Sequence, residues 1–317
     1  MLALSGGVGG AKLALGLQRA LPAGALAVLV NTGDDFGHLG LAISPDLDSV
    51  LYALAGVVNP DTGWGRADES WNFHAEIARL GGPAWFRLGD RDLAVHVERP
   101  RRRAAGEPLG SICAELARAF GLATHIWPMS DDPVRTLVDC ERGTLEFQHY
   151  FVRERCEPAV RGLRYEGAAV ARPNPDALAL LRSRELDAVV ICPSNPYLSV
   201  DPMLAMPGLR AALAASTAPV LAVSPLIAGA AVKGPTAKLM RELGLEPGAL
   251  AVAAHYHGLI DGFVLDVADA ALAAQLSVPS IAVPTLMREI EDRERLARAV
   301  LDFADRLRDA PRLRRAS

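Results

Sequence analysis

Near the start of the chain, residues 4–21 read LSGGVGGAKLALGLQRAL. Gly6, Gly7, Gly9 and Gly10 stand between a short apolar run and a helical pattern, with Lys12 just inside the helix. Glycine permits a sharp turn and exposes backbone N–H groups, and a helix N-terminus adds partial positive charge. The feature therefore predicts a strand–turn–helix unit whose mouth suits a phosphate. A Walker A loop requires Gly-Lys-Ser/Thr, but Ala11 precedes Lys12 and Leu13 follows. A dinucleotide fingerprint requires a third glycine where Lys12 stands, and an acid where the next strand ends in Asn31. NAD binding is thus disfavoured, while a nucleotide phosphate is not. A tight turn without any ligand would use the same residues.

Apolar runs at residues 2–4, 26–30, 188–192 and 220–223 each lead into a loop. Further strands are expected at 251–254, 263–266 and 280–283, and helices at 11–21 and 236–243. Such alternation predicts an α/β fold with a doubly wound, mostly parallel sheet, whose ligands bind beyond the strand C-termini. Residues 138–165, including TLEFQHYFVRE, read as a small β-rich insertion within one domain spanning 1–317. The tail DRLRDAPRLRRAS is basic and is expected to fray.

The chain has 317 residues, ample for a large core, and only 5% of them are aromatic. Its formal net charge of -4 argues against a general nucleic-acid binder. Cys113, Cys140, Cys156 and Cys192 have no metal-like spacing and fit a reducing compartment. No run suits a signal peptide or a membrane span, so a cytoplasmic protein without a membrane partner is expected.

Several loops carry candidate chemistry. In ISPDLD, Ser44 and Pro45 start a helix, and Asp46 and Asp48 fall at its positive end. Capping electrostatics would explain both acids. If this loop meets Asp34 and Asp35 of NTGDD over the glycine turn, acids would face phosphates. A magnesium ion between them would remove the repulsion, because Mg²⁺ takes one or two carboxylates plus phosphate oxygens. WFRLGDRDLAVH gathers Arg87, Asp90, Arg91 and Asp92, either as a solvated charge run or as ligand contacts. ERPRRRAAGEP, with Arg99 and three more arginines, reads as an exposed loop. Ser194 and Asn195 of PSNP offer hydrogen bonds to a base or ribose, or to their own turn. Lys233 and Lys238 of KGPTAKLM give a second, weaker phosphate candidate. His255 and His257 would share a face of a strand, but no third metal ligand accompanies them.

The ordered set SGGVGGAK, NTGDDF, SPDLD, LGDRD, MSDDP, PSNP, SPLI and KGPTAKLM resembles the 2-phospho-L-lactate transferases of coenzyme F-420 biosynthesis. The resemblance covers essentially the whole chain. It implies a Rossmann-like fold, a homodimer and small-molecule substrates. It also implies Mg²⁺-dependent transfer of a phospho-(three-carbon acid) group from a guanosine diphosphate ester. The implied acceptor is the ribityl 5'-hydroxyl of 7,8-didemethyl-8-hydroxy-5-deazariboflavin, with GMP as leaving group. By the same resemblance Asp48 is catalytic and metal-linked beside Asp46, and Arg87 contacts the deazaflavin. The turn Gly6–Lys12, with Asn31 and Asp34, receives the guanosine diphosphate, and Ser194 and Asn195 line its guanosine side. Asp201 and Thr236 depart from the family pattern, which leaves phospholactate, enolpyruvyl and phosphoglycerate donors open. A related group shares the glycine loop and fold but binds nucleotide sugars as a regulator. The SPDLD, MSDDP and KGPTAKLM motifs favour the transferase.

Overall fold

The computed structural model describes residues 1–309. The glycine turn joins β1 (Leu2–Ser5) to α1 (Gly7–Ala20). Then come β2 (Ala27–Val30), the hairpin of β3 (Phe36–His38) and β4 (Leu41–Ile43), and α2 (Pro45–Leu54). Next are α3 (Asn72–Arg79), α4 (Asp90–Ala104), α5 (Leu109–Ala119) and β5 (His125–Pro128). The chain then leaves the main sheet for β6 (Arg135–Cys140), β7 (Gly143–Glu146) and β8 (Val160–Glu166). It returns through α6 (Pro175–Arg182), β9 (Val189–Ile191), α7 (Asp201–Leu204), α8 (Leu209–Ala215) and β10 (Val220–Val223). A short hairpin, β11 (Leu226–Ile227) and β12 (Ala230–Ala231), precedes α9 (Thr236–Glu242) and α10 (Ala249–His255). The last elements are β13 (Gly262–Leu265), β14 (Ser280–Ala282) and α11 (Ile290–Asp309).

Seven strands form one parallel sheet in the order β14-β13-β10-β9-β1-β2-β5. Its inner strands are buried on both faces, which is why they read as unbroken apolar runs rather than alternating ones. Leu2 and Leu4 point into the core shared with α6, α8 and α9, while Ala3 points into the core shared with α1, α2 and α11. The direction of winding reverses between β1 and β9. That reversal opens a crevice beyond the strand ends, where doubly wound sheets hold their ligands.

β6, β7 and β8 form a separate antiparallel sheet, ordered β7-β6-β8, and Val138, Tyr150 and Val160 of this stretch share the main core. The strand does not extend through TLEFQHYFVRE. It ends at Glu146, and His149–Arg153 form one wide helical turn. Phe147 and Phe151 stack at 5.3 Å, a contact that the four-residue spacing permits in a helical turn and not in a strand.

Three other sequence expectations change. Residues 251–254 lie in helix α10 and not in a strand; alanine favours the helix, and only one face of this segment is buried. His255 consequently bonds Asp201 at 2.8 Å, and His257 lies past the helix end, so they form no metal pair. The arginine-rich segment is not a loop but the second half of α4, and Arg99 is only 1% exposed. Of the basic tail, residues 305–309 close α11, and the rest lies outside the described residues. Cys113, Cys140, Cys156 and Cys192 are all free thiols. Among the described residues no helix is long and apolar enough to cross a membrane.

Candidate active site

The glycine turn is shaped first by the protein's own packing. Gly7 has a φ of 63°, a left-handed conformation that disfavours side chains. A Cβ on Gly9 would lie 2.6 Å from the carbonyl oxygen of Pro193, so Gly9 lets the loop after β9 approach α1. Side chains at Gly6 and Gly10 would strike Ser199 and Ser194. The α1 terminus begins with four N–H groups that have no helical acceptor. Gly6 donates to Ser194 Oγ at 3.0 Å, and Gly7 donates to Asp46 Oδ1 at 2.5 Å. Val8 and Gly9 remain as the donors of that turn, and both line a cavity of about 580 Å³.

One end of this cavity is cationic. Lys12 Nζ donates to Met287 O at 2.7 Å, and Lys233 Nζ donates to Thr62 O at 3.1 Å. Neither lysine has an acidic partner among the described residues. Burial lowers both pKa values, and the two charges repel each other at Lys12. Two half-buried cations held near a helix N-terminus make a receptor for a polyanion.

The other end is aromatic. Trp85, Phe86, Phe147 and Phe151 line it. Phe36 meets Phe86 edge to face at 4.9 Å, and His38 meets Trp85 at 5.1 Å, so the wall is braced from behind. Arg87 lies at this end, with its guanidinium 4.2 Å from the Trp71 ring centre. A flat, conjugated ring with polar edges suits such a wall.

Asp34, Asp46, Asp48 and Asp92 also line the cavity. One Asn31 amide donates to both Asp34 Oδ1 and Asp46 Oδ2, each at 3.0 Å. Gln148, which follows β7, donates to Asp34 Oδ2 at 3.0 Å. Burial, then repulsion from Asp46 and Asp35, holds the Asp34 pKa well above the usual range. Burial likewise pushes Asp46 up to about 6 and Asp35 up to about 7. No cation of the protein pairs with Asp34 or Asp46 among the described residues.

The sequence reading set Asp46 beside Asp48 as a metal pair. Two residues apart on a helix, they point about 200° apart. Asp46 turns to Gly7 and Asn31, and Asp48 turns to α4, where the buried Arg99 guanidinium bonds both of its oxygens. The pair lacking a counter-charge is Asp34 with Asp46. No three acidic, histidine or cysteine side chains form a metal cluster among the described residues. Two carboxylates beside a phosphate receptor nevertheless fit a hard divalent cation, which completes its shell with water and phosphate.

This charge state sets a pH dependence. Asp35 and Asp46 have folded pKa values raised above the unfolded value of 3.8. Their stabilising contribution is complete below that value and is lost as pH rises through about 6 to 7. The acids held near 2, such as Asp139, are ionised throughout that window and add no slope there, whereas burial lowers the His38 pKa and sets one slope of the opposite sign against those of the two aspartates. The melting temperature without metal should fall by several degrees between about pH 5 and about pH 8, and Mg²⁺ should restore much of it at the higher pH. A flat or rising profile in metal-free buffer would contradict the uncompensated acidic edge.

The remaining expected residues play local parts. Ser194 Oγ also donates to Gly6 O at 2.8 Å, tying the loop after β9 to the glycine turn. Asn195 caps the following turn by accepting from the N–H groups of Tyr197 and Leu198, and donates to Thr236 Oγ1 at 3.1 Å. Ser194, Asn195 and Thr236 all line the cavity. Asp201 does not; it bonds His255 behind it. Sequence reasoning passed over Tyr52 and His96, which line the cavity together with the Asp92 it had named, and the Phe147–Phe151 pair. The four-residue spacing of that pair was its available signal.

Fold and site define a doubly wound α/β protein with a ligand cavity at the switch point of its sheet, cationic at one end and aromatic at the other. The chain matches the family model described as 2-phospho-L-lactate transferase CofD over residues 1–297, and it belongs to that family of transferases. It is 39% identical over 319 residues to a phosphoenolpyruvate transferase of Streptomyces coelicolor, covering 98% of this chain and 99% of that one. It is 41% identical over 318 residues to the phosphoenolpyruvate transferase of Kitasatospora aureofaciens, with 97% and 98% covered. The Mycolicibacterium smegmatis phosphoenolpyruvate transferase is 37% identical over 322 residues, with 95% and 97% covered. Among solved structures, protein BH3568 of Bacillus halodurans superposes with a TM-score of 0.61 at 16% identity, covering 95% of this chain and 98% of that one. That likeness concerns the fold alone.

Proposed function

We propose that this transferase moves a phospho-(three-carbon acid) group from a guanosine diphosphate ester to the ribityl 5'-hydroxyl of 7,8-didemethyl-8-hydroxy-5-deazariboflavin and releases GMP. The observation that carries the reading is the single cavity with a polyanion receptor at one end, an aromatic wall at the other and acids in its lining. The donor diphosphate lies against the Val8 and Gly9 N–H groups, Lys12 and Lys233. The deazaflavin ring lies among Trp85, Phe86, Phe147 and Phe151, with Arg87 and Asp48 at its polar edge. The three-carbon acid is enolpyruvyl; relatives matched over nearly their whole length bear the name phosphoenolpyruvate transferase. Reaction of this type depends on alignment and charge neutralisation more than on covalent help. Asp34 and Asp46 are the residues that would hold Mg²⁺, and the ion would supply neutralisation between acids and phosphates. The chain's own part is to align two substrates end to end and to exclude water between them.

A nucleotide-sugar-binding regulator of similar fold is the competing reading. Ligand choice separates the two. GDP and the deazaflavin should each raise the melting temperature, by an amount that grows with ligand concentration, and a UDP-sugar should not. Stabilisation by a UDP-sugar alone would overturn the transferase reading.

A further inference from the structure

Between α2 and α3, residues 58–66 form a loop that holds itself together. Val58 and Arg66 pair across its base, Asn59 N–H donates to Gly65 O at 3.1 Å, and Gly63 N–H donates to Asn59 O at 2.9 Å. Asn59 Oδ1 also accepts from the N–H groups of Asp61 and Thr62. The Arg66 guanidinium lies 5.2 Å from the Phe120 ring centre and 5.8 Å from that of Tyr52, which ties the base down. Among the described residues, the tip at 60–65 makes one hydrogen bond outside the loop, the one that Thr62 O accepts from Lys233 Nζ at 3.1 Å. Gly63 has a φ of 69°, and a Cβ there would lie 3.6 Å from both Lys233 Nζ and Val8 Cγ1. The tip therefore lies over the polyanion receptor. Trp64, next in the chain, lines the cavity and is 40% exposed. Val232, beside Lys233 in the chain, also lines the cavity and is exposed.

An ammonium has three N–H donors, and Thr62 O takes only one of those on Lys233. The same lysine can thus hold the loop tip and a phosphate together, and an apolar cover over a reacting phosphorus excludes water. We propose that residues 58–66 are a strap over the donor's diphosphate, pinned by Lys233, and that Trp64 packs on the bound donor to keep water from the acid-bearing phosphorus. This rests on the transferase reading above. Bound phosphate fixes Lys233, Lys233 holds Thr62, and Trp64 is drawn over the donor. Without that cover, water competes with the acceptor hydroxyl. A water oxygen bonds to the phosphorus and gives a proton to solvent. The bond from that phosphorus to the bridging oxygen breaks, and GMP leaves with the electron pair. The products are then GMP and the free phospho-acid.

The test counts GMP and phosphodiester separately in three proteins, with the guanosine-activated enolpyruvyl donor, Mg²⁺ and the deazaflavin. The wild type should release one GMP per phosphodiester. In Trp64→Ala that ratio should rise several-fold, with free phospho-acid as the other product. Trp64→Phe keeps an apolar ring and should stay near the wild-type ratio. An unchanged ratio in folded Trp64→Ala would overturn the strap. A second measurement needs no turnover. GDP should shield part of the wild-type tryptophan emission from acrylamide quenching, and the shielded part should be missing in Trp64→Phe. If GDP changes the quenching of both proteins equally, Trp64 does not cover the donor and the proposal fails, even where Trp64→Ala does not fold. A wild-type protein that binds GDP but releases no GMP from the donor contradicts the transferase reading itself, and the strap's task falls with it.

Discussion

Asp48→Asn is expected to destabilise the protein by about 3–5 kcal/mol, measured by urea unfolding. The substitution keeps the shape of the side chain and its place at the α2 N-terminus. If Asp48 only complemented the helix end, the loss would be about 1 kcal/mol or less. The larger figure comes from Arg99. That guanidinium is fully enclosed between α2, α4 and α5, and Asp48 is the carboxylate that bonds it. Its Nε has no partner at all. Removing the charge of Asp48 leaves a buried cation uncompensated, and that penalty dominates. The double variant Asp48→Asn, Arg99→Met removes both charges and should recover most of the loss, because contacting residues couple strongly. Turnover in that double variant then reports what Asp48 does for the reaction, free of its effect on folding. A single variant within about 1 kcal/mol of wild type would contradict the buried pair.

Replacing Lys12 and Lys233 together by Met is expected to weaken GDP binding by about 100-fold or more, measured by calorimetry. Each lysine is a candidate charge-assisted donor to phosphate, and such a bond contributes about 1.5–3 kcal/mol. At about 1.4 kcal/mol per factor of ten, one substitution costs roughly tenfold and two compound. Folding should persist, because neither lysine holds a carboxylate of the protein and Met keeps the apolar stem. The effect is also confined to one end of the cavity, so deazaflavin affinity should stay near wild type. A folded double variant with unchanged GDP affinity would move the phosphate receptor elsewhere.

The sheet was legible because its physics is local. Residues 2–4, 26–30 and 220–223 are buried on both faces and therefore carry no polar residue. The glycine turn was legible too, although its glycines answer to Pro193, Ser194 and Ser199 as much as to any ligand. What could not be read was partnership across the fold. Arg99 sits among arginines that do lie near the surface, such as Arg101 and Arg103. Only the packing of α4 against α2 and α5 distinguishes it. Asp46 and Asp48 look equivalent in SPDLD, yet helix geometry sends one to the glycine turn and the other to Arg99. His96 belongs to a helix that the charge pattern disguised as a solvated run. The segment at 251–254 had the composition of either element, and one-sided burial decided it.

The most direct measurement is mass spectrometry of the deazaflavin after incubation with the protein, Mg²⁺ and each guanosine-activated three-carbon acid in turn. The expected result is a deazaflavin that has gained the phospho-acid through a phosphodiester, with one GMP released per product, and with the enolpyruvyl donor giving the fastest turnover. A folded protein that binds GDP, yet leaves the deazaflavin unmodified and releases no GMP from any of these donors, would contradict the proposed transfer.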